Sequence, residues 1–268
     1  MMQRVWCRVW SNSSTLRLFF SITTIAITAV SVVFLQTLPV RSIAQPADRQ
    51  FQEQLPALQI HPLPSQLKQW QDNRQGNYFA AIQSTPVGFL IWSRFPIRVF
   101  VEPPSQMPTV DRSQDWVDAV AQAVQEWQVY LPLERVNSQE QADISIWRST
   151  PPLRQSNSQT TVGNNQGLRA QAAETRYELF VDRSTVPAIL SHRFTVRLRS
   201  GQTKAYILAS ARHELGHALG IWGHSPSPTD VMYFSQIRNP PAISERDINT
   251  LKQIYQQPTR LGWSVSGK

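Results

Sequence analysis

Between residues 115 and 130 the apolar side chains fall at Trp116, Val120, Val124 and Trp127, with Val117 and Ala121 beside them. That spacing lays one apolar stripe along a helix. Ile207, Leu208, Ala211, Leu215 and Leu219 do the same between 204 and 219, and Gly220 ends the pattern. A closing helix is expected from Ser244, where Ser244 and Asp247 form a capping pair and Ile248, Leu251, Ile254 and Tyr255 form the buried stripe. Elsewhere the period shortens. Ile97, Val99 and Val101 alternate along 97–101, and further short strands are expected at 89–92, 142–147, 177–181 and 194–198. Residues 150–167 are rich in Ser, Asn, Gln and Pro and read as a long surface loop. The order strand, helix, strand, loop, strands, helix, turn-rich segment, helix predicts an α+β fold, with helices packed on a mixed sheet.

The first 44 residues follow other rules. Arg4, Arg8 and Arg17 precede an uncharged stretch over 18–40, and Ser42, Ile43 and Ala44 then offer a cleavage site. Two readings fit: a signal peptide, or an uncleaved membrane anchor through residues 18–40. Both place the rest of the chain outside the cytoplasm, secreted, periplasmic or anchored. Residues 45–87 are irregular and rich in Gln and Pro, with a short helix expected at 65–71, and read as a linker or pro-like segment. His61, among prolines, reads as a solvated loop histidine. The main folded domain is expected over 88–258, followed by a tail over 259–268.

Charge changes the picture little. Removing the leader lowers the formal net charge from +8 to +4, because it carries four arginines and no acid. No basic stripe is interleaved with aromatics, so nucleic acid is not an expected partner. The single cysteine, Cys7, lies in the leader, so the remainder has neither a disulfide nor a thiolate nucleophile.

The chemistry is concentrated in residues 213–224. His213 and His217 are four apart on an expected helix, so they project from one side and can grip one zinc ion. Glu214 is angled to the rim, placed to act as general base toward a zinc-activated water. His224 follows just past the glycine that ends the helix and supplies a third imidazole. Three of the five histidines in the chain fall within these twelve residues.

The segment resembles the zinc signature of the metzincin peptidases, His-Glu-x-x-His-x-x-Gly-x-x-His followed by a methionine-containing turn, and within them it is most similar to the matrixins. One extra residue intervenes: Gly223 stands where the third histidine is expected, and His224 comes next. The resemblance implies a zincin-like domain, with a mixed twisted sheet, an active-site helix and a C-terminal helix. It implies one catalytic zinc, a peptide or protein substrate, and Met232 as the apolar floor under the metal. Tyr233 after Met232 is similar to the matrixins, and Phe234 stands where astacin-like enzymes carry a tyrosine ligand. Asp247 matches the residue that steadies the methionine turn, whereas Arg246 replaces an acidic neighbour. A cysteine switch is excluded by composition. Calcium is not expected in the 150–167 loop, which has no carboxylate. His192 reads as a core or solvated histidine, not a second metal site. Substrate is expected along an edge strand near 169–175, and Tyr206, Tyr233 and Phe234 are candidates for an apolar pocket beyond the scissile bond.

Two rival readings remain at this stage. Glu245 could supply the third ligand in gluzincin fashion, although an acid in a first helical turn has reason enough to be there. Or the chain could be a non-catalytic, membrane-tethered module that binds zinc and peptide. Three good ligands without a fourth favour an open catalytic site over a closed structural one.

Overall fold

The computed structural model describes residues 55–72, 74–104, 113–150 and 173–265. The leader, the loop 151–167 and the first part of the expected 169–175 edge lie outside the described residues. Among the described residues no helix is long and apolar enough to cross a membrane.

Five strands form one mixed sheet in the order β2-β1-β3-β5-β4. These are β1 (Ile97–Val101), β2 (Leu133–Val136), β3 (Ile144–Arg148), β4 (Ala173–Asp182) and β5 (Ile189–Leu198). β1 runs parallel to β2 and β3, and β3 parallel to β5, while β4 is antiparallel to β5 and forms an edge. Apolar alternation sets the buried face. Tyr177 faces Phe194 and Leu179 faces His192 across the β4–β5 pair, and all four are buried.

Helix α1 (Ser65–Gln69) is short; α2 (Ser113–Gln128), α3 (Lys204–Ala218) and α4 (Glu245–Tyr255) are the main helices. The α2 stripe is fully used: Trp116, Val120 and Trp127 are 0 % exposed and Val124 2 %. Truncating a tryptophan packed in this way typically costs about 3–5 kcal/mol. α2 packs on α3, where the Trp127 indole N–H donates to the Arg212 carbonyl at 2.9 Å and Glu126 pairs with the Arg212 guanidinium. The capping pair at α4 is as expected: Asp247 N–H donates to Ser244 Oγ at 3.1 Å, and Ser244 N–H to Asp247 Oδ2 at 2.8 Å.

Several expectations need correction. Residues 89–92 are not a strand. Leu90, Ile91 and Trp92 are buried, but Trp92 bonds its indole to the Ala218 carbonyl at 2.9 Å and the segment joins no strand ladder. A continuous apolar run reports burial, not pairing. β2 was missed because only Leu133 of its four residues is buried.

The irregular residues before 88 are also better packed than their composition suggests. Leu67, Tyr78 and Val87 are buried. Gln59 and Thr259 exchange backbone hydrogen bonds at 3.0 and 2.9 Å. His61 is not free in a loop: its Nε2 lies 2.8 Å from the Leu261 carbonyl and its ring stacks on Trp263 at 4.2 Å. The tail is held on its other side, with Gly262 N–H donating to the Leu190 carbonyl at 2.7 Å. Residues at both ends of the described chain thus complete one core. His192 is a core histidine, stacked on Trp92 at 4.1 Å and kept neutral by burial, which pushes its pKa down to about 3.

Candidate metal centre

α3 carries His213 and His217 one turn apart. Each imidazole is oriented by a carbonyl. His213 Nδ1 lies 2.8 Å from the Val231 oxygen and His217 Nδ1 2.7 Å from the Ile221 oxygen. A carbonyl can only accept, so Nδ1 carries the proton on both rings and the lone pair is on Nε2. That is the tautomer a metal requires.

After Leu219 the chain leaves the helix through Gly220, whose φ of +129° is a left-handed conformation closed to most side chains. The extra residue of the motif is absorbed next. Trp222 turns inward, edge-on to Tyr177 at 5.2 Å. Its carbonyl accepts from Gln83 N–H at 3.0 Å, and Gly223 forms a bridge with Ile82. A Cβ on Gly223 would fall 2.4 Å from the Ala81 oxygen, so only glycine lets the two backbones approach. His224 then returns to the helix. The ring centroids of His213, His217 and His224 are 4.8 to 5.2 Å apart, and their ligand atoms all lie within 4.8 Å of one another.

Among the described residues this cluster includes no fourth histidine, cysteine or carboxylate. Glu245 is not part of it; it opens α4. The arrangement suits one cation. Burial lowers the pKa of all three imidazoles, that of His213, that of His217, and that of His224 to about 4. All three are therefore neutral donors near pH 7. The donor set of three imidazole nitrogens fits zinc.

Glu214 is buried on the same helix. Burial pushes its pKa up to about 7, Glu174 adds to the rise, and a hydrogen bond from Thr175 opposes it. Thr175 Oγ1 donates to Glu214 Oε2 at 2.5 Å, so an edge-strand residue holds this carboxylate. Thr175 falls inside the edge expected near 169–175, but nothing in its spacing marks it as a partner of Glu214.

Met232 is 0 % exposed and lies beneath α3. A Cβ built on Gly216 would fall 2.3 Å from the Met232 sulfur, so the thioether sits against the helix backbone between His213 and His217. Gly216→Ala is expected to displace it. The overpacking cost of about 1–3 kcal/mol outweighs the helix propensity gain of about 1 kcal/mol. Thermal unfolding of the variant should show a net loss of about 1 kcal/mol, and a stabilised variant would contradict this placement.

The turn carrying Met232 is closed by Asp230, which is fully buried and was not singled out from the sequence. Its carboxylate accepts from Ser225 Oγ and, at 2.8 Å, from Ser244 Oγ, and pairs with Arg246 at 3.0 Å. Arg246, the departure from the family pattern, thus has a partner within the turn. Asp247 accepts from Val231 N–H at 3.0 Å, the steadying contact that the resemblance implied. Of the expected pocket residues, Phe234 is 62 % exposed and packs beside Tyr233 at 4.5 Å. Tyr206 reaches the Arg238 carbonyl at 3.4 Å, joining α3 to the segment after the methionine turn.

A family model described as matrixin matches residues 103–256, more than half of the chain, and covers strands β2 to β5, the histidine cluster and α4. No curated protein matches the chain. The matched span agrees with the mixed sheet, the active-site helix and the three converging imidazoles, and the chain belongs to the matrixin family of zinc metallopeptidases.

Proposed function

We propose that this chain is an endopeptidase in which His213, His217 and His224 hold one zinc ion and Glu214 is the general base. The observation that carries this reading is the convergence of three neutral imidazoles, with no fourth ligand in the cluster among the described residues, beside a buried carboxylate. Zinc in such a site supplies a Lewis acid that can bring the pKa of a water to roughly 7 and polarise a carbonyl. Glu214 then accepts a proton from the attacking water and returns it to the departing amine. Thr175 engages Oε2 and keeps the carboxylate oriented, which leaves Oε1 for the proton. A pKa near 7 suits a group that must both accept and release a proton at neutral pH. A bound cation would draw it lower.

An extended peptide would pair with β4, the antiparallel edge, whose residue Thr175 already touches the base. The residue following the scissile bond would enter between α3 and residues 232–237, with Tyr206, Tyr233 and Phe234 as apolar walls. We place this activity outside the cytoplasm, the apolar leader serving as signal or anchor.

The test is cleavage of a peptide library by the zinc-loaded chain. Cleavage is expected before bulky apolar residues and should stop on chelation. A preference for a charged residue there would refute the pocket. Zinc retention without any cleavage would favour the non-catalytic binding module.

A further inference from the structure

A run of polar contacts ties residues 70–78 to α4. Lys252 Nζ donates to the Trp70 carbonyl at 2.6 Å, and the Trp70 indole donates to Asn249 Oδ1 at 2.8 Å. Asn249 Nδ2 donates to Asp72 Oδ1 at 2.7 Å and to the Gly76 carbonyl at 2.9 Å. Arg246 Nη1 reaches the Gln75 carbonyl at 3.2 Å. The run ends at Tyr78. Its backbone N–H donates to Thr250 Oγ1 at 3.0 Å, and its hydroxyl donates to Asp247 Oδ1 at 2.6 Å.

Asp247 is fully buried, and its two oxygens have different duties. Oδ1 takes the Tyr78 hydroxyl, while Oδ2 takes the N–H groups of Val231 and Ser244. Val231 in turn offers its carbonyl to His213 Nδ1. A continuous path of hydrogen bonds therefore runs from Tyr78 through Asp247 and Val231 to His213. Tyr78 lies outside the 103–256 span that the family model matches.

We infer that Tyr78 is a positioning residue for the metal centre: it fixes Asp247, which fixes Val231, which sets the ring of His213. The inference rests on the reading of His213 as a zinc ligand. Without the hydroxyl, Oδ1 of a buried carboxylate loses its donor, and a buried charged acceptor left short of partners pulls its surroundings out of place. The group it would displace holds the tautomer of a ligand. A further consequence is that the lead-in from Trp70 to Tyr78 belongs to the working site, so a removable pro-segment would have to end before it.

The experiment uses the full chain in detergent. Zinc affinity is read by competition with a chromophoric chelator, and geometry by the visible absorption of the cobalt-substituted protein. Tyr78→Phe is expected to weaken zinc binding about ten-fold, the low end for residues that support a ligand indirectly, and to shift the cobalt spectrum. Asn249→Ala breaks the neighbouring contacts without touching Asp247. It should lower the melting temperature but leave zinc affinity within two-fold. Tyr78→Phe combined with Asp247→Asn should weaken zinc binding by less than the product of the two single effects.

Zinc affinity of Tyr78→Phe within two-fold of wild type would overturn the inference. So would an equal loss in Asn249→Ala, since that would make the contact plain anchoring. Should Tyr78→Phe not fold, Tyr78→Leu, which likewise removes the donor to Asp247, takes its place under the same two-fold limit. A wild-type chain that takes up no zinc defeats the metallopeptidase reading and this one with it. A wild type that binds zinc no better than Tyr78→Phe defeats this one alone.

Discussion

Glu214→Gln is expected to lower kcat/KM for peptide cleavage by about 10²–10⁴-fold while the protein retains its zinc. The magnitude is that of removing a positioned general base, about 3–5 kcal/mol of barrier at roughly 1.4 kcal/mol per decade. The variant isolates the proton-transfer role because the amide keeps the shape of the carboxylate. Its oxygen can still accept from Thr175 Oγ1, which holds Oε2 in the parent chain. Retention of zinc follows from the geometry, since Glu214 is not in the imidazole cluster. Removal of a buried acid whose pKa is pushed up by desolvation should also leave the fold intact or slightly more stable. Steady-state kinetics beside metal analysis reads both halves. Zinc loss in Glu214→Gln would mean that the carboxylate is itself a ligand, and full activity would remove it from the mechanism.

The second large effect concerns the third ligand. His224→Ala should weaken zinc binding by more than the roughly 10–100-fold typical of residues that merely support a ligand, and cleavage should fall with it. Glu245→Ala should leave both unchanged. The reason lies in the loop. Gly220 and Gly223 let the chain turn and press against Ala81 and Ile82, and this brings His224 to within a ring's reach of His213 and His217. Glu245 is instead in the first turn of α4, beside the Ser244–Asp247 cap. Loss of zinc only in Glu245→Ala would reverse the assignment and restore the gluzincin arrangement.

These two variants also mark what the chain discloses locally and what it does not. The α3 site was legible because its chemistry repeats with the helix: His213 and His217 share a face, and Ile207, Ala211 and Leu215 share the opposite, buried one. α4 was legible down to its cap, since Ser244 and Asp247 act over three residues. β4 and β5 began earlier than their apolar cores suggested, because the pairing of Ala173 with Leu198 and of Asp182 with Ile189 is a property of two strands together. Residues 89–92 were misread for the opposite reason: burial of Leu90 and Ile91 comes from three dimensions and carries no signature of pairing.

The supporting residues were the least legible. Tyr78 meets Asp247 across 169 positions, and Thr175 meets Glu214 across 39. No period or motif links such residues, and only the folded sheet and helices bring them together. The Gln- and Pro-rich composition before residue 88 concealed a segment that packs against α4, because a few well-placed side chains, Leu67, Tyr78 and Val87, suffice to anchor it.

The central claim is that one zinc ion is held by three imidazoles. The most direct measurement is anomalous diffraction at the zinc absorption edge from crystals of the purified chain. The account predicts a single peak per molecule, about 2.0–2.1 Å from the Nε2 atoms of His213, His217 and His224. No peak among these rings, or a peak bound by His213, His217 and Glu245 with His224 turned away, would contradict it.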